Sequence, residues 1–162
     1  MDNVFFQWFN QFFSREWAVF FVSCLPIVEL RGAIPLAITM GISPVKAYIL
    51  AVSGNAVPVI PLLLLLKPVR KFLIRHINIM ESFFNWLDKR TIKKSSNIEK
   101  YGALALILFT AIPLPTTGAW TASLAAILFN IKFKYAFPAI MVGILIAGII
   151  MIIISMTGKA IL

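Results

Sequence analysis

The chain has 162 residues, 60% of them hydrophobic, with a mean hydropathy of +0.94, a formal charge of +9 and one cysteine, Cys24. That apolar share exceeds the usual level for soluble domains and excludes an ordinary water-soluble fold. The lone cysteine excludes an internal disulfide and reads as a small buried hydrophobe.

The first element is aromatic. Residues 4–14 begin "VFFQWFNQFF", with Phe5, Trp8, Phe9 and Phe12 at helical spacing. The stretch is too short to span and predicts an interfacial helix at headgroup level. It does not read as a cleavable signal, since Asp2 opens it and no basic residue precedes Arg15. A broken apolar segment follows at 17–42, interrupted by Glu29-Leu30-Arg31-Gly32. After a short link, residues 47–66 form a clean apolar run of about the 20 residues that cross a bilayer.

Residues 67–100 are basic. Nine Lys and Arg against Glu81, Asp88 and Glu99 leave this segment at +6. Val69, Phe72, Leu73, Met80, Phe83, Phe84 and Leu87 recur at helical spacing and predict amphipathic helices resting on a membrane face. A basic loop between spans is cytoplasmic by the positive-inside rule. Its charge therefore reads as orientation and contact with anionic membrane lipids, not as a nucleic-acid surface. His76 lies here and reads as a surface residue.

The second half repeats the plan. Residues 103–129 are apolar but broken by "IPLPTTG" at 112–118; a basic link follows, then a clean run at 135–157. Pro26, Gly32, Leu36-Ala37 and Lys46 answer to Pro113, Gly118, Leu124-Ala125 and Lys134. As continuous helices, 17–42 and 101–129 would be about 39 and 43 Å long, against a hydrocarbon core of roughly 30 Å. Pro113 and Pro115 push their preceding residues out of the helical region. Gly32 and Gly118 let the backbone turn back. Each broken segment is thus expected to enter halfway and return. The expected fold is an all-α integral membrane protein of two inverted repeats, each a re-entrant helical hairpin (17–42, 103–129) followed by a transmembrane helix (47–66, 135–157). Four full spans are the alternative.

Glu29 is the one acid inside an apolar segment, where an uncompensated charge costs roughly 2.5–3.5 kcal/mol on insertion scales. Residues two apart do not share a helix face, so Glu29 and Arg31 pair directly only in a non-helical turn. Either they pin the hairpin tip structurally, or the carboxylate titrates or binds an ion while the guanidinium holds an anionic group. Thr116 and Thr117 are placed to cap the returning half-helix, whose N-terminal amides would face the membrane centre. Half-helix N-termini meeting at the midplane form the usual site of inverted-repeat transporters. Trp120 reads equally as packing. Asn55, between Gly54 and Pro58, reads as interhelical glue or as a substrate contact. No metal cluster, phosphate loop or nucleophile–base pair stands out, so neither an enzyme nor a cofactor is expected.

"VELRGAIPLAITMGIS", "SGNAVPV" and "AIPLPTTGAWTASLAA" resemble the signatures of the small multidrug export family, over roughly residues 20–150. That family is itself considered a distant relative of the DedA superfamily, whose members are expected to fold as inverted hairpin repeats and are linked to lipid translocation. The resemblance implies functional positions at Glu29, Arg31, Gly32, Pro35, Gly54, Asn55, Pro58, Pro113, Pro115, Thr117, Gly118 and Trp120. Thr116 stands where the family often has glycine, and the second hairpin lacks the arginine that DedA-type proteins carry.

Three functions are compatible with these features. The first is a multi-pass transporter or lipid translocase of the cell (inner or plasma) membrane, moving an anionic or amphipathic substrate at the hairpin tips. The second is proton-coupled efflux of cationic drugs by a four-span dimer, against which Arg31 argues by charge. The third is a membrane-embedded interaction partner. Self-association, as a homodimer, is expected because half-span elements need cover. Single cysteines at Lys46 and Lys132, in a Cys24→Ala background, separate the folds by impermeant thiol labelling of intact cells. Labels on opposite sides of the membrane fit paired hairpins; both positions outside would mean four spans.

Overall fold

The structure is a computed structural model that describes residues 15–65, 68, 95–113, 117–129 and 131–161. The helix expected at 4–14 and most of the basic segment expected at 67–100 lie outside the described residues. Among the described residues the chain is helical with no strand. The helices are α1 (Arg15–Cys24), α2 (Glu29–Thr39), α3 (Pro44–Ala56), α4 (Ser95–Ala111), α5 (Ala119–Leu128) and α6 (Phe133–Ile161).

Proline sets most of these boundaries. α1 stops at Cys24 because Leu25 precedes Pro26 and is driven out of the helical region. α3 starts at Pro44, where a first-turn proline loses no hydrogen bond. After a turn at Val57-Pro58 the helix resumes, and Pro44–Leu65 is long and apolar enough to cross a membrane, as is Phe133–Gly158. α4 ends at Ala111, two residues before Pro113, with Ile112 N–H still bonded to Leu108 O at 3.0 Å. It begins at Ser95, well inside the basic segment rather than at 103.

The element order occurs twice with one spacing. Thr39 and Leu128 end the short helices, and Pro44 and Phe133 begin the long ones; each pair is 89 positions apart. The closures match too. Ile42 N–H bonds to Ala37 O at 3.0 Å, and Ile131 N–H bonds to Ala126 O at 2.7 Å, again 89 positions apart. In the first case Gly41, at φ 80°, also donates to Ile38 O, completing a Schellman cap.

The chain divides into two compact units, Met1–Asn55 with Gly148–Leu162, and Ala56–Ala147. In the first, α1 and α2 pack against each other and fold back, because the Arg15 guanidinium at the start of α1 donates to Met40 O beyond the end of α2 (3.2 Å). α2 buries Leu30, Ala33, Ile34, Ala37 and Ile38, a stripe at the three-four spacing of one helix face. α3 lies close against α1, where a Cβ on Gly54 would come within 2.3 Å of Phe20 O. The Ser23 hydroxyl donates to Ala51 O across this contact. Gly148 of α6 similarly meets the Tyr48 ring.

In the second unit, α4 packs on α5, whose buried face is Ala119, Ala122, Ser123 and Ala126. Thr110 of α4 fits the space left by Gly143 of α6. Small residues carry these contacts, which is how helices gain dispersion in lipid when burial from water offers no drive. The outer face of α6 remains apolar and open at Val142, Leu145, Ile146, Ile149 and Ile153. A helix apolar all round with one face uncovered suits hydrocarbon and not water.

Pro58 lacks an N–H, so Gly54 O has no donor four residues on. The Cys24 thiol supplies it, donating to Gly54 O at 3.0 Å. Cys24 is therefore more than a buried hydrophobe. We expect Cys24→Ala to cost about 1 kcal/mol in thermal unfolding of the detergent-solubilised protein. The loss should shrink in a Pro58→Ala background, which restores the helical donor; an equal loss in both backgrounds would refute this role.

Candidate functional site

The site residues expected from the sequence fall in both units. Glu29, Arg31, Gly32, Pro35 and Asn55 belong to the first, and Pro113, Thr117, Gly118 and Trp120 to the second. Pro115 and Thr116 lie outside the described residues.

In the first unit the chain reverses at Leu25–Val28, before the interruption expected at Glu29–Gly32. Gly32 is not the turn. It sits inside α2, with its N–H bonded to Val28 O at 3.1 Å, and a Cβ there would strike the Val28 side chain. Glu29 is instead the pivot. It is the first residue of α2, its N–H bonds back to Leu25 O at 3.0 Å, and its φ is +50°. Among the described residues it is the only one other than glycine with a positive φ. A side chain in that left-handed region costs roughly 1–2 kcal/mol. Such strain persists where surrounding packing imposes it, and it clusters at functional sites.

Glu29 is also buried, with 6% of its surface exposed, while Arg31 is half-buried. Glu29 and Arg31 lie two residues apart in the first turn of α2. Pro35 lies within the same helix and has no N–H for the Arg31 carbonyl four residues back. Val28, the N-cap of α2, makes no side-chain capping bond. The start of α2 thus gathers a carboxylate, a guanidinium and a helix N-terminus without a side-chain cap within one turn.

Asn55 does not bridge helices. It is 1% exposed, and among the described residues neither its amide nitrogen nor its amide oxygen has a hydrogen-bond partner. Leaving such a group unsatisfied costs about 1–3 kcal/mol. Its neighbour Gly54 receives the Cys24 thiol, which places Asn55 beside the α1–α2 turn. Among the described residues no cluster of acids, histidines and cysteines could hold a metal ion.

In the second unit Thr117 is not the cap of α5. Gly118 occupies that position with an extended backbone (φ 159°, ψ −169°) and no side-chain capping bond. Thr117 donates instead to Ile112 O at 2.9 Å, closing the break after α4. Gly118 is buried and Trp120 half-buried. The start of α5, like that of α2, has no side-chain cap and carries the partial positive charge of its helix dipole.

Sequence reasoning missed Cys24 and Ser23 as backbone partners. The signal for Cys24 was present in Pro58, which stands four residues after Gly54. Nothing local announced the backbone of Glu29. Because of this left-handed backbone, Glu29→Gly should be more stable than Glu29→Ala by about 1 kcal/mol in thermal unfolding, reversing the usual helical order of alanine over glycine. A more stable alanine variant would exclude the strained pivot.

The profile of a family described as "Putative small multi-drug export protein" matches residues 29–150. No curated protein matches the chain, and no solved structure does.

Proposed function

The chain belongs to the small multidrug export family, and from that premise we propose a secondary transporter or lipid translocase working at the start of α2. The membrane assignment draws on the same membership and on two helices of spanning length. α1 and α2, at 10 and 11 residues, are each about 15–17 Å long, half of a hydrocarbon core of roughly 30 Å. A fold-back pair of that depth supports a re-entrant hairpin whose turn reaches the midplane. The repeated order in α4–α6 supports a second, inverted copy. The cytoplasmic placement of residues 67–100 belongs to this reading.

The observation that carries the proposal is Asn55 and Glu29 together: an amide buried without partners among the described residues, next to the Gly54 that receives Cys24, and a buried acid held on a left-handed backbone where α2 begins. The Asn55 amide offers one donor pair and one acceptor to a polar group of the substrate. Arg31 and the first amides of α2 hold an anionic group. Glu29 exchanges Arg31 for a proton or cation, so its charge state governs whether the guanidinium is available. The substrate is anionic or amphipathic, and the protein is not an enzyme. Self-association covers the turn, where Ile27 is 94% exposed, since irregular backbone at membrane depth needs protein around it.

Cationic drug efflux is the second reading, favoured by the family description and the buried acid. Proteoliposomes separate the two. One set carries a fluorescent phosphatidylglycerol read by dithionite quenching, the other ethidium under a proton gradient. The lipid should move in wild type and stop in Glu29→Gln and Asn55→Leu. Asn55→Leu should unfold no earlier than wild type, because it removes an unsatisfied group. Full lipid movement in Glu29→Gln sinks the proposed mechanism, and ethidium transport that survives Arg31→Gln but not Glu29→Gln establishes efflux.

A further inference from the structure

We propose that the open end of the α1–α2 hairpin is a separate binding site for an anionic phospholipid, with the headgroup phosphate at Arg15 and an acyl chain along α1. The proposal requires only that the chain lies in a membrane and is independent of the site at Glu29. A cleft of about 480 Å³ opens there, lined by Arg15, Glu16, Lys46 and the turn Met40–Ser43. It lies where three elements are tied together. Arg15 donates to Met40 O, and Lys46 forms an ion pair with Glu16.

The charges of this cleft do not cancel. Among the described residues of the lining, Lys46 and Glu16 offset one another, which leaves Arg15 as the excess cation and the lining at +1. A guanidinium has five N–H donors in a planar fork suited to a phosphate. One of them reaches Met40 O, and the bond holds the group at the cleft's edge. α3 begins at Pro44, between the lining residues Ser43 and Lys46, so the positive end of its dipole lies at the cleft. The floor is open backbone. Gly41 is held at φ +80°, and a Cβ added there would meet nothing within 4 Å.

The apolar half of the ligand is set by α1. Trp17 and Phe21, four residues apart on one face, are each about half exposed, at 53% and 50%. Trp17 and Phe21 stack with centroids 5.9 Å apart. This stripe rises for about 6 Å along α1 toward the turn. A cation at one end and a continuous apolar track below it match an anionic lipid, whereas a soluble phosphate would use only the cleft. The lining's single excess charge matches a headgroup of charge −1, such as phosphatidylglycerol.

The test uses the full chain in detergent micelles doped with phosphatidylglycerol or phosphatidylcholine, with bound lipid counted by native mass spectrometry. Phosphatidylglycerol should be retained over phosphatidylcholine. Arg15→Gln should weaken retention about fivefold, the effect of one surface cation on an anionic lipid. Gly41→Asp and Gly41→Asn share shape and backbone strain and differ only in charge. The aspartate variant should therefore retain about fivefold less lipid than the asparagine one, whatever Arg15→Gln does to folding. Lys134→Gln, an exposed cation of the other unit, should change nothing. Equal retention of the two lipids, or equal behaviour of the two Gly41 variants, would overturn the proposal. Displacement of the lipid by inorganic phosphate, matched mole for mole, would assign the cleft to a soluble anion instead.

Discussion

Inside a bilayer a peptide group has no water to bond, so each N–H and C=O must find its partner within the protein. Prolines make that demand acute, because each removes one donor and leaves a carbonyl four residues earlier without its helical partner. The described structure is organised around these vacated positions. Pro26 ends α1, Pro113 closes off α4, and Pro58 interrupts the first long helix after Gly54. A side chain answers at one of the three: Cys24 donates to Gly54 O, the carbonyl that Pro58 leaves without a helical donor, while Thr117 closes the break after α4 by donating to Ile112 O.

These substitutes tie distant parts of the chain together. The Cys24 thiol reaches Gly54 only because Gly54 has no side chain to hold α1 away, and the same approach brings Ser23 onto Ala51 O. A repair to one helix thereby becomes a junction between two. The turn at Leu25–Val28 is anchored on both sides, by α3 against Ser23 and Cys24 and by the buried stripe of α2. That anchoring is what imposes the left-handed backbone on Glu29. The strain of roughly 1–2 kcal/mol is outweighed by dispersion across the buried Leu30, Ile34 and Ile38.

Much of this was legible in the residues. The two long apolar helices, the breaks between shorter ones and the twofold element order all follow from hydropathy and proline positions. Glu29 stood out by charge alone. Other features were misplaced for physical reasons. The turn lies at Leu25–Val28 rather than at Gly32 because Pro26 decides where helix is impossible, while a glycine only permits a turn and here serves a close contact with Val28. Thr117 looked like a cap because it precedes a helix. Its hydroxyl instead completes the carbonyl of Ile112 across the proline break, and the extended Gly118 takes the cap position.

What the sequence determined by itself is local or additive: a membrane protein, the lengths of its apolar elements, their interruptions, and a buried acid beside a base. These depend on residue type and spacing along the chain. Tertiary structure alone decided which backbone groups the side chains satisfy and which polar atoms stay unsatisfied. Asn55 could have bridged helices, as its amide often does. Packing around Gly54 buries it without a partner, and no spacing in the sequence encodes that outcome. The reason is geometric. A hydrogen bond depends on positions within a few tenths of an ångström, and those are set by how helices from distant parts of the chain meet.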